Sequence, residues 1–281
     1  MIIGIDIGSS TTKTVSVEGG KLALKIKTRA ADAVTSAAGA LGKLLLENDI
    51  GMAAVQGIAI TGAGASRIKS DIFGIPTRRV DEIKAIGTGG IFLAETYCGA
   101  EPGGNPLIIA NVGTGTAIIE AGKDGIAHLG GSGMGGGTIQ GLAKKLLPTS
   151  DFNSILELAK EGDLDQVDLL LKDITETDIS FLNRETTAAN FGKTLDSAGS
   201  ADLALAILNM VYQVIGMLSV FAARSKNLDR VVVTGNGSNN PIGKQVLKII
   251  SGMYGIRFEY PPDAEYTTAI GAAFSWGSAG V

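Results

Sequence analysis

The chain has 281 residues, 45% hydrophobic and 19% charged, with a formal net charge of −4; that length fills one large α/β domain or two smaller ones. The acidic balance excludes nucleic acid as the main partner, and one cysteine with one histidine excludes an internal disulfide, a metal centre built from several Cys or His, and a multi-cysteine iron–sulfur cluster. The opening MIIGID has no basic or cleavage-like signal, and apolar runs such as Leu203 to Val220 are broken by Asn209, Tyr212 and Gln213, so a cytoplasmic globular protein with no membrane contact is expected.

The first element is an apolar β-rich run that carries Asp6, turns through Gly8, Ser9 and Ser10, and continues as TVSVEGGKLAL. That pattern predicts a hairpin. A charge inside an apolar strand is costly unless it has a partner or a task. Residues 32–49 predict a helix with Val34, Leu41, Leu44 and Leu45 on one face, and VQGIAITGAG (55–64) a strand ending in glycines. VDEIKAIGTGGIFLAETYCG (80–99) is a strand end passing into a helix, and EPGGNP (101–106) is the linker that separates the expected domains, 1–103 and 104–281.

The stretch LIIANVGTGTAIIEAGKDGI (107–126) then repeats the opening, with Asp6 falling on Asn111, Gly8 on Gly113, Ser9 on Thr114 and Thr11 on Thr116. Two such hairpins indicate an internal duplication. GGSGMGGGTIQGLAKKLL (130–147) is a glycine run opening a helix, and 151–206 reads as a polar helical region. The apolar helix at 201–224 is either fully buried or a dimer seam. RVVVTGNGSNNP (230–241) reads as a buried strand ending in a Gly/Asn loop, and YTTAIGAAFSWG as a closing small-residue helix. The alternation predicts an α/β protein in two halves.

The chain's 40 glycines gather in short runs inside regular segments, where they bring backbone close to a ligand. Three strand-end turns stand out: Gly8 to Lys13, Gly113 to Thr116 and Gly235 to Ser238; Gly135-Gly136-Gly137 adds a helix N-terminus. Backbone N–H groups in such turns bind phosphate oxygens because no Cβ keeps the anion away. None of the turns has the Walker A or the Rossmann spacing.

GIDIGSSTTK, NVGTGT and VVVTGNGSNN resemble the phosphate-1, phosphate-2 and adenosine segments of the actin-like, hexokinase-like and heat-shock-chaperone ATPase superfamily. Within it the chain is similar to the type II (eukaryotic-like) pantothenate kinases, through GGSGMGGGTIQGLAKKLL, NFGK at 190–193, and DE at 81–82 after the TGAGA loop. The resemblance covers nearly the whole chain. It implies an α/β fold of two ribonuclease-H-like (actin-like ATPase) domains with a nucleotide cleft between them, closing on ATP and Mg2+. It also implies a homodimer that phosphorylates the primary hydroxyl of pantothenate, the first step of coenzyme A biosynthesis.

By that resemblance Asp6 holds the magnesium through water, as suits an ion that keeps waters and few carboxylates. Gly8, Ser9, Ser10, Thr11 and Thr12 wrap the phosphates, Lys13 offsets their charge, and Glu82 is the catalytic base, with Asp81 the neighbouring alternative. Thr114 is assigned to the phosphates, Gly136, Gly137, Thr138, Ile139 and Gln140 to the nucleotide, and Phe152 and Asn236 to the adenosine end. Phe152 is equally a core aromatic, and Asn236 equally a left-handed turn residue. The family's arginine before the glycine run is replaced by His128, which cannot form a bidentate clamp; Arg67 and Arg78 are the other cations near the expected acceptor. GIDIGSSTTK and VDEIKA also resemble ATPase activators of the acyl-CoA dehydratase or benzoyl-CoA reductase type, but that group holds a cluster between subunits with paired cysteines and this chain has Cys98 alone. An amino-sugar kinase of the same superfamily and a non-enzymatic nucleotide-binding module are the remaining alternatives.

Overall fold

In the computed structural model, which describes residues 1–278, the opening forms three antiparallel strands: β1 (Ile2–Ile7), β2 (Thr11–Glu18) and β3 (Lys21–Arg29). Helix α1 (Ala33–Glu47) starts at Asp32, whose carboxylate accepts from the N–H groups of Val34 and Thr35. Its buried face is Ala33, Ala37, Ala40, Leu41, Leu44 and Leu45. Val34, expected on that face, is instead 59% exposed, because the first turn packs through Ala33 and Ser36, the latter accepting from the Ala31 N–H. Two parallel strands, β4 (Gly57–Thr61) and β5 (Thr77–Arg79), complete the first sheet in the order β3-β2-β1-β4-β5. Helix α2 (Glu82–Tyr97) follows.

The same succession then recurs. Strands β6 (Leu107–Val112), β7 (Thr116–Gly122) and β8 (Gly125–Ser132) are antiparallel. They are followed by α3 (Gly136–Leu146), α4 (Phe152–Lys160), and a small ribbon of β9 (Leu169–Leu170) and β10 (Thr187–Ala189). Then come α5 (Ser200–Ser225), β11 (Arg230–Thr234), α6 (Pro241–Tyr254), β12 (Arg257–Glu259) and α7 (Thr267–Phe274). The second sheet runs β12-β11-β6-β7-β8. Read from the far edge it is the first sheet again, three antiparallel strands and then two parallel ones. The duplication read from the sequence is therefore a duplication of fold.

Strand register refines the residue matching. Ile7 pairs with Thr12 and Val112 with Thr116, so the equivalent of Thr116 is Thr12, not Thr11. The first turn is one residue longer. Asp6 accordingly stands opposite Lys13, and Asn111 opposite Ala117.

Alternation of side chains gives each sheet two faces. Ile3, Ile5, Ile7, Ile58 and Ile60 pack under α1, while Val15 and Val17, on the face shared with Asp6, pack against Ala269, Ile270 and Ala273 of α7. In the second sheet Ile108, Ala110, Val112, Val231 and Val233 pack under α5. Ile109, Ile119, Ala121 and Val232 on its other face meet Ile86 and Ala94 of α2. The helices are thus exchanged: α2 leaves the first sheet to cover the second, and α7 leaves the second to cover the first. They cross in contact because glycines lie at the crossing. A Cβ on Gly271 would come 1.7 Å from the Ala85 carbonyl oxygen, and one on Gly89 2.0 Å from that of Thr267.

One expectation changes on contact with the structure, and the apolar helix takes the first of its two expected places. Residues 161–199, expected to be largely helical, are short 3-10 turns and the β9–β10 ribbon after α4 ends at Lys160. The apolar helix is a core helix of the second half: Ile207, Leu208, Val211, Ile215 and Val220 of α5 are fully buried. Its length and composition would suffice for a membrane span, but packing against α3, α4, α6 and the sheet accounts for them.

Candidate active site

The carboxyl ends of β1, β4, β6 and β11 and the loops after them meet on the inner faces of the two sheets, the position where open α/β sheets bind ligands. The first loop turns tightly, with the Gly8 N–H donating to the Thr11 carbonyl at 3.2 Å. In the second, the Gly113 N–H donates to the Gly115 carbonyl at 2.8 Å. The hydroxyls of Ser9 and Thr114 lie 2.9 Å apart, so the two loops touch although 105 residues separate them. The N–H groups of Ser9, Ser10, Thr114 and Gly115 have no acceptor among the described residues, which is the arrangement that binds an anion.

The third loop abuts the second from behind. A Cβ on Gly235, where φ is +79°, would sit 2.5 Å from the Val112 carbonyl oxygen and 2.9 Å from Asn111 Oδ1. Tyr212 of α5 supports the loop from below, donating its hydroxyl to the Gly237 carbonyl at 2.7 Å. Asn236 follows Gly235 and is exposed. The three turns recognised in the sequence therefore lie side by side, the first touching the second and the third backing it.

The glycine run has a packing reason of its own. A Cβ on Gly135 would meet the Thr114 carbonyl oxygen at 2.6 Å, and one on Gly137 would meet Thr114 Cγ2 at 2.7 Å. The Gly136 and Gly137 N–H groups donate to the Gly113 and Thr114 carbonyls at 2.9 Å each, so the start of α3 clamps the second loop. The Thr138 hydroxyl donates to the Gly133 carbonyl. Ile139 is 2% exposed within the core under α5, leaving its side chain out of the crevice, whereas Gln140 is exposed. Phe152, the first residue of α4, is half-buried against that same core.

On the first sheet's inner face Asp6 is 7% exposed. Lys13, opposite it, places Nζ 3.7 Å from Asp6 Oδ2. Burial pushes the Asp6 carboxyl up to about 6; Lys13 opposes that shift and the Glu82 carboxylate adds to it. Glu82 is thus within electrostatic reach of Asp6. It opens α2 and makes no hydrogen bond or ion pair with a described residue, and partial desolvation, then Asp81, raises its carboxyl above the usual range. Asp81 itself is the cap of α2, accepting from the Lys84 N–H at 2.9 Å. Of the two neighbouring acids, Glu82 is the one left available for chemistry.

Other singled-out residues lie elsewhere. His128 is an exposed residue of β8. Arg67 is exposed in the turn after β4, while Arg78 stacks over the Trp276 ring at 4.6 Å and donates to its carbonyl, which fastens the chain end to β5. Cys98 caps α2, and its carbonyl accepts from Arg230. NFGK is a structural staple. Asp168 is fully buried and accepts from Asn190 Nδ2, the Phe191 N–H, the Thr187 hydroxyl and Asn209 Nδ2. Lys193 bridges Asp165 and Asp173. Sequence reasoning missed Thr61 and Gly62, at the end of β4, although TGAGA and TGNGS carry the same glycine spacing.

Comparison with known proteins agrees with this geometry. The sequence model of the family described as Fumble matches residues 10–255. The chain is 33% identical over 194 residues to a type II pantothenate kinase of Bacillus cereus (strain ATCC 10987), covering 67% of this chain and 68% of that protein. It is 28% identical over 285 residues to that of Staphylococcus aureus (strain USA300), covering 98% and 99%. Among solved structures, component A of the (R)-2-hydroxyglutaryl-CoA dehydratase of Acidaminococcus fermentans is similar with a TM-score of 0.66 at 16% identity, covering 97% of this chain and 95% of that one. The ROK hexokinase of Thermus thermophilus is similar with a TM-score of 0.56 at 15% identity, covering 98% and 97%. These last two likenesses show the actin-like ATPase and hexokinase fold and nothing finer. The duplicated sheets, the converging loops and the two sequence matches lead to one statement: the chain belongs to the Fumble family of type II pantothenate kinases.

Proposed function

We propose that the chain transfers the γ-phosphoryl group of ATP to the primary hydroxyl of pantothenate, with Glu82 as base and Asp6 on the magnesium side. The observation that carries this reading is the placement of an unpartnered Glu82 at a helix start within electrostatic reach of Asp6, beside two glycine loops that touch through Ser9 and Thr114. Phosphoryl transfer asks a protein mainly to position groups and offset charge. The free N–H groups of both loops hold phosphate oxygens, and Lys13 supplies a fixed positive charge under them. Asn236 and Phe152 flank the adenosine end.

A single buried carboxylate fits magnesium, which keeps several waters and takes few protein ligands. Asp6 would hold the ion, which when bound neutralises charge on the β- and γ-phosphates. Glu82, whose carboxyl partial burial raises above the usual range, accepts the hydroxyl proton of the acceptor. The two jaws of the cleft are the two sheets with the helices that cover them, α1 and α7 on the first and α2 and α5 on the second, so the bounds 1–103 and 104–281 hold for the sheets but not for the exchanged helices. The protein works in the cytoplasm and as a homodimer; exposed Phe221 on α5 and Ile249 on α6 support the second of these readings.

The test is an acceptor screen, pantothenate against amino sugars, following ADP release with and without magnesium, on the wild-type protein and Glu82→Gln. Magnesium-dependent turnover with pantothenate is expected, falling about a hundredfold or more in E82Q while ATP binding is retained. Near-normal turnover of E82Q would show that the base is another group, and turnover with amino sugars alone would reject the acceptor.

A further inference from the structure

The duplication gives the first half a residue whose task is visible in the second. Thr234 ends β11 beside Asn111 and donates its hydroxyl to Asn111 Oδ1 at 3.0 Å. Thr61 ends β4 beside Asp6 in the same parallel register. The glycines that follow share a backbone conformation, φ 85° and ψ 171° at Gly62 against φ 79° and ψ 179° at Gly235. A Cβ on Gly62 would sit 2.5 Å from Asp6 Oδ1, as one on Gly235 would sit 2.9 Å from Asn111 Oδ1. Both polar side chains are therefore held against a glycine and flanked by a threonine.

One part of the correspondence is incomplete. Thr61 is fully buried, yet its Oγ1 has no hydrogen-bond partner among the described residues, and a buried hydroxyl without a partner calls for a reason. Thr12, Thr14 and Ser16 also lack partners, but they pair with Ile7, Ile5 and Ile3 on the face under α1, away from the crevice. Thr61 alone among these lies on the face of Asp6. Lys13, at 3.7 Å, is in ion-pair range but beyond hydrogen-bond length. A carboxylate that must present one oxygen toward a cation needs a donor to fix the other.

We propose that Thr61 is a positioning residue for Asp6: in the magnesium–nucleotide complex its hydroxyl donates to the Asp6 carboxylate, as Thr234 donates to Asn111. This rests on the reading of Asp6 as the magnesium-side acid. The hydroxyl thereby fixes which oxygen faces the cation.

The test is calorimetric titration of the full chain with a non-hydrolysable ATP analogue, with and without magnesium, together with thermal unfolding in the absence of both. Thr61→Val is nearly isosteric. It is expected to weaken the magnesium-dependent gain in affinity about tenfold, the worth of one hydrogen bond to a charged group, with magnesium-free affinity and the thermal midpoint unchanged. Thr61→Ser restores the gain. Thr234→Val, which breaks an existing bond, lowers the midpoint instead. A full magnesium gain in T61V while Asp6→Asn loses it would overturn the proposal and leave the Asp6 reading standing. A gain retained in D6N would remove both. A midpoint in T61V falling as far as in T234V would show a purely structural hydroxyl and also overturn the proposal.

Discussion

Asp6→Asn should make the protein more stable while disabling it. The Asp6 carboxyl is pushed up from 3.8 to about 6, first by burial, with Lys13 opposing and Glu82 adding. A carboxyl whose pKa is higher in the folded chain keeps a proton there that the unfolded chain has released. Stability is then fully present below about pH 4 and is lost as pH rises through about 6. At about 1.4 kcal/mol per unit, the gap between 3.8 and about 6 is worth about 3 kcal/mol above that window. Asparagine imitates the protonated acid in shape and charge, so D6N retains at neutral pH what the wild type has only in acid. Urea unfolding without nucleotide or metal is expected to find D6N about 3 kcal/mol more stable than wild type near pH 7.5 and equal to it near pH 4. Subtracting the two proteins at each pH cancels the other titrating groups. A D6N protein no more stable near neutrality, or a difference constant across the window, would refute the argument that burial governs this carboxyl.

Three further outcomes are expected. Asp168→Asn replaces one of two acceptor oxygens by an amide donor, which then opposes either the Phe191 N–H on Oδ1 or the donors of Thr187, Asn190 and Asn209 on Oδ2, and should cost about 3 kcal/mol in urea unfolding; a loss under about 0.5 kcal/mol would mean the network rearranges freely. Gly271→Ala drives a Cβ to 1.7 Å from the Ala85 carbonyl and should lower stability by about 3 kcal/mol or more, whereas an unchanged thermal midpoint would mean that α2 and α7 can separate without cost. Gly235→Ala, at φ +79° with the Val112 carbonyl 2.5 Å away, should cost about 1–3 kcal/mol in strain and weaken nucleotide binding by at least about tenfold in calorimetry; wild-type affinity would detach this loop from the nucleotide.

The parts legible in the sequence were those with local causes. Both hairpins showed as β-rich runs around Gly-containing turns, and α5 and β11 as apolar stretches of the right length. Helix α6 also carries local marks, Asn240 as cap, Pro241 at its first position and left-handed Gly255 after it. What the sequence hid depends on partners far along the chain. The exchange of α2 and α7 is invisible until Gly89 and Gly271 are seen at one crossing. The ribbon within 161–199 has no periodicity because a buried Asp168, not an apolar face, organises it. The one-residue difference between the turns after β1 and β6 is equally hidden, since only pairing across the strands decides that Thr12 answers to Thr116.

That register carries the divergence of the two halves. Each copy carries, one residue before the end of its first strand, a polar side chain that leans on a glycine and neighbours a threonine. In the second copy the side chain is a neutral amide, its hydrogen bond comes from Thr234, and the residue opposite is Ala117. In the first it is an acid, the residue opposite is Lys13, and the threonine hydroxyl is unpaired. An amide in that pocket needs no counter-charge, so alanine suffices across from it. A carboxylate there needs a cation, and a lysine 9% exposed would be an unjustified burial on any other ground. One fold, copied, therefore supports its second glycine loop quietly with Asn111 and keeps a costly charge at Asp6, and that cost falls in the half where the metal is proposed to bind.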